Sequence, residues 1–187
     1  MRVGAYAWLG RLRWTGRGES NSVKTSGYTI LLVEDDPNDV LLMQRAFRKA
    51  DLTCPLHVAR DGQEAIDYLT HQGRFDDKTR FLAPALLLLD LKMPRKNGFE
   101  TLEWLRQQPA LKRIVVIVLT SSSELADINR AYDLGANSYL VKPGDFQALV
   151  DLVSTVARYW LMTNEKAGLQ DQPQLVRRRL PAESQPA

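Results

Sequence analysis

Five short apolar runs alternate with amphipathic segments along the central part of the chain. The runs occupy residues 28–33, 55–59, 85–89, 114–120 and 137–141. An apolar run of this length between turn residues predicts a strand buried on both faces, which is typical of a parallel sheet covered by helices.

The segments between the runs carry helix signals. Asp36 is suited to cap a first helix that begins at Pro37 and extends to about Ala50, and Asp61 and Asp145 are suited to cap the second and the fifth. In the fifth helix an apolar stripe recurs at spacings of three and four, made of Phe146, Leu149, Val153, Val156 and Trp160. Five successive strand–helix units predict an α/β fold, a doubly wound five-stranded parallel sheet flanked by five helices.

Composition fits one globular domain with two polar ends. The 187 residues are 44% hydrophobic and 25% charged. We expect the domain at residues 28–162, an N-terminal extension at 1–27 that is disordered or loosely attached, and a disordered C-terminal tail at 163–187.

Charge, hydropathy and cysteine content indicate which partners and which compartment the sequence suits. The net charge of +3 comes from the two ends, so the central domain offers no basic surface for nucleic acid. No apolar run approaches the roughly 18 residues of a membrane span. The single cysteine, Cys54, suits a reducing compartment. We therefore expect a cytoplasmic protein.

Reactive side chains follow four of the five predicted strands. Glu34 and Asp35 follow the first, Asp90 follows the third, Thr120 ends the fourth and Lys142 follows the fifth. Right-handed crossovers place all strand ends on one edge of the sheet, so these side chains should converge there.

Three converging carboxylates need a cation or a proton. Two carboxylates about 4 Å apart repel by roughly 4 kcal/mol at an effective dielectric constant of about 20. Oxygen ligands favour a hard ion such as Mg²⁺. A metal, an ammonium group and a hydroxyl around one nucleophilic aspartate, Asp90, match phosphoryl transfer.

The motifs VEDDP, LLLLDLKMPRKNG, VLTSSS and SYLVKP together resemble the response-regulator receiver domain of two-component signalling, over residues 28 to about 162. The resemblance implies a flavodoxin-like fold in which Asp90 accepts a phosphoryl group from a kinase phosphohistidine. It further implies that Mg²⁺ is held by Glu34, Asp35, Asp90 and the backbone carbonyl of Lys92, and that Thr120 and Lys142 hold phosphate oxygens.

Two conformational expectations follow from the same resemblance. Tyr139 is expected to move inward as Thr120 is drawn to the phosphate. The Lys142–Pro143 peptide bond is expected to be cis.

Finer features resemble the stand-alone regulators that partner bacterial and cyanobacterial phytochrome kinases. These are PNDV after the acids, the long connection YLTHQGRFDDKTRFLAP and the terminal RYWL. The implied partner is a sensor histidine kinase. The 25 residues of the tail are too short for a DNA-binding output domain.

A switch without an output domain needs a surface through which to act. We therefore expect a homodimer through the fourth helix, the fifth strand and the fifth helix. Leu152, Tyr159 and Leu161 should supply an exposed apolar patch there.

Two functions from other classes compete with the switch. A metal-dependent phosphohydrolase with an aspartate nucleophile, of the haloacid-dehalogenase type, would carry a second aspartate two residues after the first, where this chain has Lys92. A binding module that is independent of phosphorylation would fail to label with a small phosphodonor.

Overall fold

The computed structural model describes residues 27–165. The ends predicted to be disordered, 1–27 and 163–187, lie outside this range except for residues 27 and 163–165. The strands are β1 (Ile30–Val33), β2 (Leu56–Ala59), β3 (Leu86–Leu89), β4 (Val115–Thr120) and β5 (Ser138–Val141). The α-helices are α1 (Pro37–Lys49), α2 (Gly62–Thr70), α3 (Gly98–Gln107), α4 (Leu125–Asp133) and α5 (Phe146–Ala157). A 3₁₀ turn at Gly73–Phe75 and a π-helical turn at Arg158–Thr163 complete the elements.

The sheet is parallel throughout, with the strand order β2-β1-β3-β4-β5. This confirms the predicted doubly wound five-stranded architecture. Strands β1 and β3 are neighbours, with Val33 opposite Leu89, and every residue of both strands is buried. The residues that follow these two central strands are therefore adjacent at the carboxyl edge of the sheet.

Helices cover both faces of the sheet. On one face α1 packs beside α5, and on the other α2 packs beside α3. The two apolar layers account for the uninterrupted apolar runs, because successive side chains of a strand enter opposite layers.

Side-chain caps fix where the helices begin. The carboxylates of Asp36, Asp61 and Asp145 accept hydrogen bonds from backbone N–H groups of the helices that follow them, as predicted. Asn97 and Glu100 form a reciprocal capping box at the start of α3. All four of these caps lie in connections that leave the carboxyl edge, after β1, β2, β3 and β5.

The long connection between α2 and β3 packs through aromatic side chains. Edge-to-face contacts join Tyr68, Phe75 and Phe81, and His57 of β2 contacts Tyr68 and Phe81. The Tyr68 hydroxyl donates a hydrogen bond to the Leu82 carbonyl at 2.8 Å. The aromatic residues of this connection follow no helix or strand period, so their packing is not predictable from the sequence pattern.

The predicted apolar stripe of α5 is partly wrong. Phe146 is exposed at the first position of the helix, whereas Leu161 is buried and Leu152 is half-buried against the core. Leu161 lies four residues after Ala157 and eight after Val153, so it continues the buried face of α5 into the π-helical turn. Of the three residues expected to form an exposed patch, only Tyr159 is exposed.

None of the helices in the described part of the chain is long and apolar enough to cross a membrane.

Candidate phosphoryl-acceptor and metal site

The predicted site residues lie at the carboxyl edge of the sheet. The backbone N–H of Asp90 donates to the Val33 carbonyl at 3.0 Å, so Asp90 continues the pairing of β3 with β1. The backbone N–H of Lys142 donates to the Thr120 carbonyl at 2.8 Å, which fixes the base of the lysine beside the end of β4. Pairing between neighbouring strands thus sets the spacing of the functional side chains.

Glu34, Asp35 and Asp90 form an acidic cluster. One carboxylate oxygen from each lies within 4.8 Å of the other two. Glu34 and Asp90 are buried, whereas Asp35 is exposed. Oδ1 of Asp90 is buried and has no hydrogen-bond partner among the described residues. An oxygen-only cluster with an unpartnered buried oxygen fits a hard divalent cation.

Lys142 supplies a positive charge to this cluster. Its Nζ lies 2.6 Å from Glu34 Oε2, 2.7 Å from Asp39 Oδ2 and 3.9 Å from Asp90 Oδ2. Burial alone would lower the pKa of Lys142, but hydrogen bonds to Asp39 and Glu34 outweigh burial and raise this pKa. Lys142 is therefore charged at neutral pH.

At Glu34, burial outweighs the effect of the neighbouring positive charge on the pKa. Burial raises the pKa of its carboxyl to about 7, although the hydrogen bond and the charge of Lys142 act to lower it and Asp90 adds to the rise. The 2.6 Å contact with the charged Lys142 favours the ionised form of Glu34. Glu34 is thus a carboxylate whose ionisation depends on a neighbouring cation.

Thr120 and Tyr139 are linked through Ser122. Thr120 is completely buried, and its Oγ1 accepts a hydrogen bond from the Ser122 backbone N–H at 3.5 Å. The Tyr139 hydroxyl donates to the Ser122 carbonyl at 3.0 Å, and burial raises the pKa of this hydroxyl. The loop after β4 therefore joins the two predicted switch residues.

The same loop also reaches α4. The Ser122 hydroxyl donates to Asp127 Oδ2 at 2.6 Å, in the first turn of a helix whose N-cap, Glu124, makes no side-chain hydrogen bond. Ser122 thus connects the end of β4 with both Tyr139 and α4.

The loop between β3 and α3, which contains Lys92, is held from two sides. The exposed Arg95 forms an ion pair with the buried Asp61 at the start of α2, and the Gly62 backbone N–H donates to the Lys96 carbonyl at 3.0 Å. At the other end of the loop, the Gly98 N–H donates to the Leu91 carbonyl at 3.1 Å. These contacts fix the chain that follows Asp90, whereas the role of the Lys92 carbonyl as a metal ligand stays a prediction.

One predicted feature of the site is wrong. None of the described peptide bonds is cis, so the Lys142–Pro143 bond is trans. The trans form of a bond that precedes proline is the intrinsically favoured one, by about 0.5–1 kcal/mol.

Sequence reasoning missed two residues that contact the site. Asp39, in the first turn of α1, was not predicted as a partner of Lys142. Its position three residues after the cap Asp36, close to the carboxyl edge, could have indicated this contact. Ser122 was quoted in the motif VLTSSS without a role of its own.

Comparisons with known proteins agree with this geometry. Residues 30–154 match the model of the response regulator receiver domain. The chain belongs to the response regulator receiver family. This receiver chain is 39% identical over 145 residues to the response regulator Rcp1 of Synechocystis sp., an alignment that covers 78% of this chain and 94% of Rcp1.

Solved structures of regulators have the same fold. The phosphorylated cyanobacterial phytochrome response regulator RcpA is 36% identical, with a TM-score of 0.68 over 74% of this receiver chain and 97% of RcpA. The Mn²⁺-bound form of Rcp1 is 36% identical, with a TM-score of 0.66 over 75% of this chain and 99% of that one. The predicted family and fold are thereby confirmed, and the acidic cluster of this chain fits the divalent metal seen in a relative.

The backbone at Asp90 leaves no room for a side chain at Gly98. A Cβ atom there would lie 2.2 Å from the Asp90 carbonyl oxygen. We expect Gly98→Ala to lower the free energy of unfolding by about 1–3 kcal/mol, because α3 must move away from Asp90. Urea unfolding measures the change.

Gly144→Ala is the matched control, because a Cβ at Gly144 would meet no atom within 4 Å. Equal effects of the two substitutions, or a more stable Gly98→Ala protein, would show that α3 does not press on Asp90.

Proposed function

We propose that this receiver chain is a phosphorylation switch in which Asp90 accepts a phosphoryl group. The main support is the buried Asp90 carboxylate in the acidic cluster. Its Oδ1 has no hydrogen-bond partner among the described residues, and the Lys142 ammonium lies 3.9 Å from its Oδ2. A nucleophile, a cation site and a positive charge at one place are what phosphoryl transfer requires.

The chain's own residues would act by position and charge. A carboxylate oxygen of Asp90 attacks phosphorus, a P–O bond forms, and the P–N bond to the donor imidazole breaks. The leaving imidazole nitrogen keeps the electron pair of that bond. Lys142 and the Thr120 hydroxyl would hold phosphoryl oxygens, because both lie at the same edge as Asp90.

The metal proposed for this site is Mg²⁺. The ligands would be Glu34, Asp35, Asp90 and the Lys92 carbonyl. When bound, Mg²⁺ supplies positive charge that offsets the phosphoryl oxygens and the clustered carboxylates.

The proposed readout runs from Thr120 to Tyr139. If Thr120 turns towards a phosphoryl group, its contact with the Ser122 N–H is lost, and the loop that accepts the Tyr139 hydrogen bond is released. An inward movement of Tyr139 would then change the surface around β5.

The proposed phosphodonor is the phosphohistidine of a sensor kinase of the phytochrome type. Support comes from the similarity over most of the chain to RcpA, a cyanobacterial phytochrome response regulator. In this role the chain catalyses its own phosphorylation and dephosphorylation and is not an enzyme that acts on a separate substrate. The cytoplasmic location remains a prediction.

The phosphohydrolase alternative gains no support from the site. It needs a second carboxylate two residues after the nucleophile, and this position holds the exposed Lys92. A binding module independent of phosphorylation would not need Glu34, Asp90 and Lys142 to converge. Labelling with acetyl phosphate distinguishes such a module from the phosphorylation switch.

Asp90 should be the acceptor in solution. With Mg²⁺ and acetyl phosphate, we expect the full chain to gain the mass of one phosphoryl group. The Asp90→Asn protein should gain none, because its amide cannot form the acyl phosphate. Intact mass spectrometry measures both.

Asp133→Asn is the matched control, since it makes the same change of charge at an exposed position of α4. Persistence of the adduct in Asp90→Asn, or failure of the native chain to label, contradicts the proposal.

We further propose a homodimer through α4, β5 and α5, revised for the residues that the structure exposes. The exposed large apolar side chains on these elements and the following turn are Leu125, Tyr132, Val141, Phe146, Tyr159 and Met162. β5 is an edge strand, so both its apolar surface and its unpaired backbone are open to a second copy. Leu152 is no longer part of the proposed surface because it packs against the core.

Phosphorylation should tighten this dimer. A coupling of about 1–3 kcal/mol between two sites lowers the dissociation constant by about 5- to 150-fold. Sedimentation over a concentration series, with and without beryllofluoride and Mg²⁺, measures the constant. Val141→Glu and Tyr159→Glu should weaken the dimer by placing charges in the interface.

Leu82→Glu is the control, because Leu82 is similarly exposed but lies in the connection before β3 and its carbonyl is bound by Tyr68 of α2. If the protein is a monomer with and without beryllofluoride, or if the dimer tolerates both Val141→Glu and Tyr159→Glu, this interface is ruled out.

A further inference from the structure

Lys142 has a carboxylate partner outside the acidic cluster. Its Nζ contacts Asp39 at 2.7 Å and Glu34 at 2.6 Å, but lies 3.9 Å from the nearest oxygen of Asp90. Asp39 is not one of the three acids that could hold a metal ion. The ammonium group therefore lies between Glu34 and Asp39 and makes no hydrogen bond to the proposed acceptor.

The position of Asp39 is set by a rigid part of the fold. Asp39 occupies the first turn of α1, where Pro37 begins the helix and Asp36 caps it by accepting from the Asn38 N–H at 2.7 Å. α1 packs against α5, so the backbone of this turn is held by the cap and by the neighbouring helix.

Lys142, by contrast, is attached to a fixed backbone through a long side chain. Its backbone N–H is bound to the Thr120 carbonyl, while four methylene groups separate the ammonium from that anchor. The side chain is 17% exposed and that of Asp39 is 38% exposed, so the pair lies at the boundary between the cluster and solvent. The ammonium can change partners without any change in the sheet.

We propose that Asp39 is a positioning residue that holds the Lys142 ammonium away from Asp90 and thereby opposes its contact with a phosphoryl group there. This inference rests on the proposed function. On phosphorylation, Lys142 exchanges Asp39 for a phosphoryl oxygen, and the strength of the pair with Asp39 sets how favourable that exchange is. Removal of a partly exposed ion pair should favour the phosphoryl-bound state by about two- to five-fold.

Beryllofluoride affinity measures this exchange without turnover. Calorimetric titration of the full chain at saturating Mg²⁺ should show about two- to five-fold tighter binding to Asp39→Asn than to the native protein. Asp39→Glu keeps the carboxylate and should bind like the native protein. Glu103→Gln, with the same change of charge at an exposed position of α3 outside the proposed dimer surface, should also bind like the native protein. No gain in Asp39→Asn overturns the proposal.

A double-mutant cycle separates positioning from a general charge effect. If Asp39 acts through Lys142, Asp39→Asn should change beryllofluoride affinity little when Lys142 is already methionine. The same gain in the Lys142→Met background would show that Asp39 merely repels an anion, and would overturn the proposal.

A second readout needs neither metal nor phosphoryl mimic. In metal-free protein with ¹⁵N-labelled lysine side chains, the Lys142 ammonium resonance is identified by its loss in Lys142→Met. Asp39→Asn should shift this resonance and Glu103→Gln should not. An unshifted resonance in Asp39→Asn would show that the ion pair is absent in solution.

The outcomes also distinguish this inference from the proposed function. If the native chain does not bind beryllofluoride, the phosphorylation switch itself fails. If the native chain binds it and Asp39→Asn binds equally well, only the role of Asp39 fails.

Discussion

The repulsion between two buried carboxylates, Glu34 and Asp90, is the constraint on which the carboxyl edge of this fold depends. They follow neighbouring central strands, so the parallel register brings them together regardless of their charge. At about 4 Å and an effective dielectric constant of about 20, two such charges repel by roughly 4 kcal/mol. The edge must therefore contain a cation, and the described residues provide it through Lys142.

The rest of the site follows from how that charge is balanced. Lys142 forms its short contacts with Glu34 and Asp39, which leaves one oxygen of Asp90 without a hydrogen bond. If Asp90 is the proposed nucleophile, its free oxygen and the nearby ammonium suit a reaction that adds negative charge. The fold supplies rigidity around this pair, because α3 starts against the Asp90 carbonyl and α2 is bonded to the loop that follows Asp90.

The sequence predicted the strands, the helix caps and the residues at the strand ends well, for a physical reason. Buried parallel strands give uninterrupted apolar runs, and caps require specific side chains, so both are local signals. Features that depend on tertiary contacts were not predicted. Leu161 is buried in the turn beyond the end of α5, and aromatic packing orders the connection after α2.

At the site itself, the same distinction holds. The edge position of Glu34, Asp90 and Lys142 followed from topology alone. Topology alone did not predict which carboxylates Lys142 contacts, because the contact with Asp39 depends on how close α1 lies to β5. The cis bond expected before Pro143 was inferred from resemblance, and the described backbone is trans there.

The central claim is that the edge carboxylates form one cluster whose charge a divalent cation relieves. The most direct measurement is the unfolding temperature of the full chain against Mg²⁺ concentration, with ionic strength held constant by NaCl. Binding to the folded state alone adds about 2.7 kcal/mol of stability at a concentration one hundred times the dissociation constant, which corresponds to a rise of about 5–10 °C. The account predicts this rise in the native protein and a much smaller one in Asp90→Asn. An unfolding temperature that does not depend on Mg²⁺, or an equal rise in both proteins, would contradict it.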